Sequence, residues 1–266
     1  MNKTATALFL SLSIVLSGCL APESFKEESP YHGEDIEPVV AVDHFILNNA
    51  TGDEWDFGEE TDNKVVVIAF LFTNCIDICP IVTENLRWMS SQLTEEEHNA
   101  TEFITVTVDP WRDDPATMLA WKQGRSTNWT HLSINDVDNE SQLKAITDVW
   151  VNFGVGLWIE EAPSDLNGNE SENESGNESS SGDSTGGRHH PDAYSVNHST
   201  GTVLVDHRGL QQVWWGDNDW FPDLVLEDVR TLIEARNEQL TSQFIWNWCL
   251  IHVQKRIDRP PCHNVP

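Results

Sequence analysis

Positive charge is what this chain lacks most: 15 Lys and Arg stand against 44 Asp and Glu, a net charge of −29. A chain so acidic repels phosphate backbones, which excludes nucleic acid as a partner. The carboxylates run along the whole sequence and read first as a solubility device suited to a saline habitat. Attraction of a cation or a basic partner is the lesser role. Cysteine is scarce as well, five residues in all, and the N-terminal apolar stretch from Ala5 to Leu16 falls short of the roughly 20 residues that a comfortable membrane span needs. Against these shortages stand 39% apolar residues with 12 Trp and 10 Phe, enough to build the core of one ordinary domain with extensions.

The first 19 residues combine Lys3, the apolar stretch and the run Leu16-Ser17-Gly18-Cys19. They resemble a bacterial-type lipoprotein signal, with cleavage before Cys19 and lipidation of its thiol. An uncleaved anchor is the alternative, and either form leaves the body outside the cytoplasm, tethered to the outer face of the membrane. Setting Cys19 aside leaves Cys75, Cys79, Cys249 and Cys262, two pairs that fit an exported, disulfide-permissive compartment.

Residues 20–38 are polar and contain proline, which predicts a flexible spacer. The body is expected over 39–240. It should open with a strand from Val39 to Leu47 and a turn at Gly52-Asp53, then continue with an extended piece around Trp55 and Phe57. Val65 to Phe72 is apolar without alternation, the pattern of a strand covered on both faces in an α/β sheet. A helix from Pro80 to Leu93, a strand ending at Asp109-Pro110 and a helix from Pro115 to about Gly124 follow. A short strand at Leu132–Ile134, a helix from Asn139 to Trp150 and a strand at Val155–Ile159 complete a βαβα succession. Residues 164–188 repeat Asn-Glu-Ser and read as a disordered insert. Strands at Thr202–Asp206 and Gln211–Trp215, a helix from Phe221 to about Leu240, and a Cys-containing tail over 241–266 end the chain.

The chemistry concentrates at Asn74-Cys75-Ile76-Asp77-Ile78-Cys79-Pro80, where the apolar strand hands over to a helix. Pro80 suits the first helical position, so the helix should start near Cys79 with Cys75 just ahead of it, both near the positive end of the helix dipole, which favours thiolates. Three intervening residues allow a reversible Cys75–Cys79 disulfide or a clamp on one soft ion. The pair alone leaves both open. A third ligand is to be sought among ten histidines, and His198 is the best placed, at the approach to a strand expected beside the one that carries Cys75.

Cys-x-x-x-Cys-Pro after an apolar strand, the Val108-Asp109-Pro110 strand end and Tyr194-Ser-Val196-Asn-His198-Ser199 before a hairpin together resemble the Sco family. The match runs from about Val39 to Leu240. The resemblance implies a thioredoxin-like fold and copper, as Cu(I) or Cu(II), held by Cys75, Cys79 and His198. It also implies a role in assembling the CuA centre of cytochrome c oxidase, with oxidase subunit II as partner and other copper chaperones or thiol reductants as further contacts. His207, in Val205-Asp206-His207, copies a family motif but falls at the family's turn position. Asn197 stands where the family has Asp. It also forms a sequon with Ser199, and the reading expects that sequon to be unmodified.

Other readings use the same residues. A thiol-disulfide oxidoreductase would attack with Cys75 and resolve with Cys79, yet no proline directly precedes the strand at Thr202, as a thioredoxin-type enzyme would have. A peroxidase reading would enlist Thr73 and Arg87. Asp109 ends its strand and, in a second role, stands behind the cysteines or His198. Cys249 and Cys262 are expected to form a structural disulfide worth about 2–4 kcal/mol.

Overall fold

The computed structural model describes residues 29–161, 194–198, 201–216 and 220–257, with side chains in the last helix described to Ser242. The signal with Cys19, the insert at 164–188 and Cys262 lie outside the described residues, and so does the side chain of Cys249.

An edge strand β1 (Glu34–Ala41) opens the fold, followed by β2 (Ile46–Asn49), β3 (Glu54–Asp56), the short helix α1 (Phe57–Glu60) and β4 (Val65–Leu71). Then come α2 (Ile78–Gln92), α3 (Glu95–Asn99), β5 (Thr101–Thr107), α4 (Pro115–Arg125), β6 (Thr130–Ser133) and α5 (Glu140–Asn152). A two-stranded ribbon of β7 (Leu157–Glu161) and β8 (Tyr194–His198) precedes β9 (Gly201–Val205), β10 (Leu210–Gly216) and the long helix α6 (Pro222–Ile257). The main sheet has the order β1-β10-β9-β4-β5-β6-β2-β3. β4, β5 and β6 are parallel, and β9 runs antiparallel to β4. This mixed sheet flanked by helices agrees with the α/β class read from the strand and helix succession, and it is the thioredoxin-like arrangement that the family resemblance implied.

β4 is buried at every position, because its two faces pack against different layers. Val65, Val67 and Ala69 meet Leu86 and Met89 of α2 and Val229 of α6, while Val66, Ile68 and Phe70 meet Ile146 and Trp150 of α5. Parallel crossovers place the ends of β4 and β5 at one edge, and the antiparallel β9 starts there too, with Thr202 opposite Ala69. Cys75, Asp109 and His198 therefore gather at the same end of the sheet.

The structure corrects three sequence expectations. The spacer over 20–38 and a body beginning at 39 give way to order from Ser29, because His32 N–H and Gly33 N–H donate to Asp228 at 2.8 and 3.0 Å and β1 starts at Glu34. β1 is mostly exposed, so it carries no hydrophobic signal, and Pro38 is tolerated at a sheet edge. The single strand Val39–Leu47 is two strands. β1 pairs with β10 at one side of the sheet and β2 with β6 toward the other, so residues 42–45 must cross between them. The last helix does not stop near Leu240 but continues to Ile257, through most of the expected tail. No Gly or Pro interrupts it before Pro260.

Candidate metal centre

After β4 the chain turns sharply, with Cys75 N–H donating to the Phe72 carbonyl at 3.2 Å. Asp113 fixes the turn. It accepts from Thr73 N–H at 2.9 Å, from the Thr73 hydroxyl and from the Thr107 hydroxyl at 2.7 Å, which ties the cysteine loop to the end of β5. Burial pushes the Asp113 carboxyl up to about 6, against the lowering effect of the Thr107 and Thr73 hydrogen bonds.

α2 begins at Ile78 with no side-chain cap from Asp77. The Cys75 sulfur takes that place: Cys79 N–H donates to Cys75 Sγ at 3.4 Å. The Cys79 thiol, donating to Cys75, is the main cause that lowers the Cys75 thiol to about 6, helped by the backbone N–H groups of Cys79, Asp77 and Ile78, while burial opposes it. Cys75 is half-buried and Cys79 buried, and neither is in a disulfide.

A cavity of about 350 Å³ opens beside the loop, lined by Phe72, Cys75, Arg112, Tyr194, Val196 and His198 among others. His198 pairs with Leu157 on the ribbon. Its ring stands edge-on to Phe72 with centroids 5.7 Å apart, and its Nε2 is shielded from solvent. The expected approach segment to the strand is thus itself a strand, β8. Asp109 is fully buried and holds two neighbours: it accepts from the Tyr194 hydroxyl at 2.7 Å and forms an ion pair with Arg112. The Arg112 guanidinium lies 4.1 Å from the centroid of the Tyr194 ring. Burial, reinforced by the Asp109 carboxylate, pushes the Tyr194 phenol well above its ordinary range.

The structure brings Cys75, Cys79 and His198 to one end of the sheet. Among the described residues, no group of three or more His, Cys, Asp or Glu side chains is already arranged to hold a metal ion. His207 lies in the β9–β10 turn at the opposite end, where its Nε2 meets Gln239 Oε1 at 3.0 Å. Arg87, needed by a peroxidase reading, pairs with Glu84 on the exposed side of α2. The cationic side chain at the cavity is instead Arg112, which sequence reasoning missed. Its signal was the spacing Asp109-Pro-Trp-Arg112-Asp113, one turn beyond a strand end.

Residues 34–148 match the family model described as SCO1/SenC. The fold is similar to that of apo Sco1 from Thermus thermophilus, at 21% identity over 76% of this chain and 96% of that one, with a TM-score of 0.55. It is also similar to ScoI from Arabidopsis thaliana, solved with copper bound, at 17% identity over 74% and 99% of the two chains and a TM-score of 0.55. A SCO1/SenC family lipoprotein from Bacillus anthracis str. Ames aligns at 20% identity over 73% and 95%, with a TM-score of 0.50. No curated protein matches the chain.

Proposed function

We propose, from the match of residues 34–148 to the SCO1/SenC family model, that this chain carries copper outside the cytoplasm, tethered to the membrane through Cys19, and assists assembly of the CuA centre of cytochrome c oxidase. Copper is cargo in this reading, held by Cys75, Cys79 and His198. The observation that carries it is the depressed Cys75 thiol beside Cys79 in a cavity that His198 also lines. Two thiolates and an imidazole form a soft donor set suited to copper. The cavity is open, and Ile76, between the two thiols, is 95% exposed, an apolar contact for a docking partner such as oxidase subunit II. Likeness to a copper-bound plant ScoI and to a bacterial family lipoprotein supports the cargo and the tether.

The test is copper stoichiometry and absorption of the reduced protein beside its His198→Ala variant. One copper per chain, with a thiolate-to-Cu(II) band that the variant loses, is expected. His207→Ala should leave both intact, and equal loss in the two variants would transfer the third ligand away from His198.

The two reduced thiols, four residues apart, also favour a second reading, a thiol-disulfide oxidoreductase acting on the oxidase copper site or other exported proteins. The Cys75 thiolate would attack a partner disulfide and Cys79 would resolve the mixed disulfide, releasing a partner dithiol and leaving a Cys75–Cys79 disulfide for an external thiol reductant to restore. In that case His198→Ala keeps disulfide exchange while Cys75→Ser abolishes it, and the reduced protein retains no tight copper.

A further inference from the structure

His198 is presented differently from the two cysteines. Cys75 and Cys79 sit on a loop and helix anchored to the central strands, whereas His198 lies on the β7–β8 ribbon, which pairs with no strand of the main sheet among the described residues. Among the described residues, a polar cluster at its start ties β8 to the body. The Tyr194 hydroxyl donates to Asp109 Oδ1 at 2.7 Å, Asp109 Oδ2 pairs with Arg112 Nε, and Arg112 Nη1 donates back to the Tyr194 carbonyl at 3.3 Å. The guanidinium stacks on the Tyr194 ring and reaches within 6.0 Å of the Phe72 centroid, the ring that stands edge-on to His198. Asp109 is fully buried, so losing one of its two partners leaves one buried carboxylate oxygen without its donor.

We propose that Asp109, Arg112 and Tyr194 form a clamp that positions β8 and thereby governs whether the His198 imidazole joins the two thiolates. The inference rests on the copper reading for its consequence, but the clamp itself does not. Two thiolates suffice for low-coordinate Cu(I), whereas Cu(II) calls for the imidazole. The clamp therefore acts on the Cu(II) form and leaves Cu(I) binding to Cys75 and Cys79. Arg112 and Tyr194 are positioning residues here, acting through β8 and Phe72 rather than by ligation.

The experiment compares the full-length protein with Tyr194→Phe, which keeps the ring under Arg112 and deletes the hydroxyl, and with Arg112→Lys, which keeps the charge and deletes the planar fork. In the metal-free protein, amide hydrogen exchange over residues 194–198 is expected to quicken in both variants while β4 and β5 keep their protection. With copper, Cu(II) affinity should fall on the order of tenfold with an altered charge-transfer band, and Cu(I) affinity should hold within about twofold. Unchanged exchange in both variants overturns the clamp, and an equal fall in Cu(I) and Cu(II) affinity reduces it to a general structural role. If the wild-type protein binds no copper, the copper reading fails and the exchange comparison still decides the clamp.

Discussion

At the scale of single residues, the protein's most consequential side chain is Cys75. A thiol held at about 6 by the Cys79 thiol and three backbone N–H groups is mostly thiolate at neutral pH. Its folded value lies below the ordinary thiol value, so its contribution to stability is fully present above that ordinary value and is lost as pH falls through about 6. Alkylation of the reduced, metal-free protein should therefore show a Cys75 rate with its midpoint near pH 6, followed by mass spectrometry of the modified peptide. A midpoint above pH 8, that of an ordinary thiol, would remove the activation argued for this site. The position of Cys75 at a strand-to-helix handover was legible from the apolar run and Pro80. That its sulfur caps the helix was not, since only the backbone path brings Cys79 N–H onto Cys75 Sγ and leaves the Asp77 side chain out of the cap.

Among elements, β1 shows how a tertiary contact can order a stretch with no pattern of its own. Asp228 of α6 accepts from His32 N–H, Gly33 N–H and the Trp215 indole N–H, all at 3.0 Å or less. Gly33 has to be glycine there, because a Cβ would come within 2.5 Å of Val213 Cγ1. Asp228→Ala leaves three buried or half-buried donors without their acceptor and should cost about 1–3 kcal/mol. It should also speed hydrogen exchange over residues 32–41. Unchanged melting and unchanged exchange would show that the strand is held by its β10 pairing alone. By contrast, β4, β5, α4 and α5 were read nearly to their ends, since a fully apolar strand and Asp-Pro or Asn caps announce themselves locally.

For the whole molecule, charge sets the terms. With a net charge of −29, self-repulsion opposes the compact state, and the fold should gain stability as salt shortens the Debye length from about 10 Å at 0.1 M to about 3 Å at 1 M. Thermal melting measured in NaCl across that range is expected to shift upward. A fall in melting temperature would mean that specific ion pairs such as Lys64–Glu102 and Arg230–Glu97 outweigh the general repulsion.

Sequence by itself determined the α/β class, the central buried strand, the thiol pair at its end and the likeness to the Sco family, because each is written in residues close together along the chain. Only the tertiary structure decided that Arg112 lines the cavity and that Asp109 accepts from the Tyr194 hydroxyl. It also decided that His198 stands on a ribbon apart from the main sheet and that His207 lies at the other end of the fold. Those facts depend on strand order and on the direction of β9 relative to β4. Both are fixed by pairings between residues tens to well over a hundred positions apart, such as Val65 with Thr101 and Val66 with Val205, and local composition carries no trace of them.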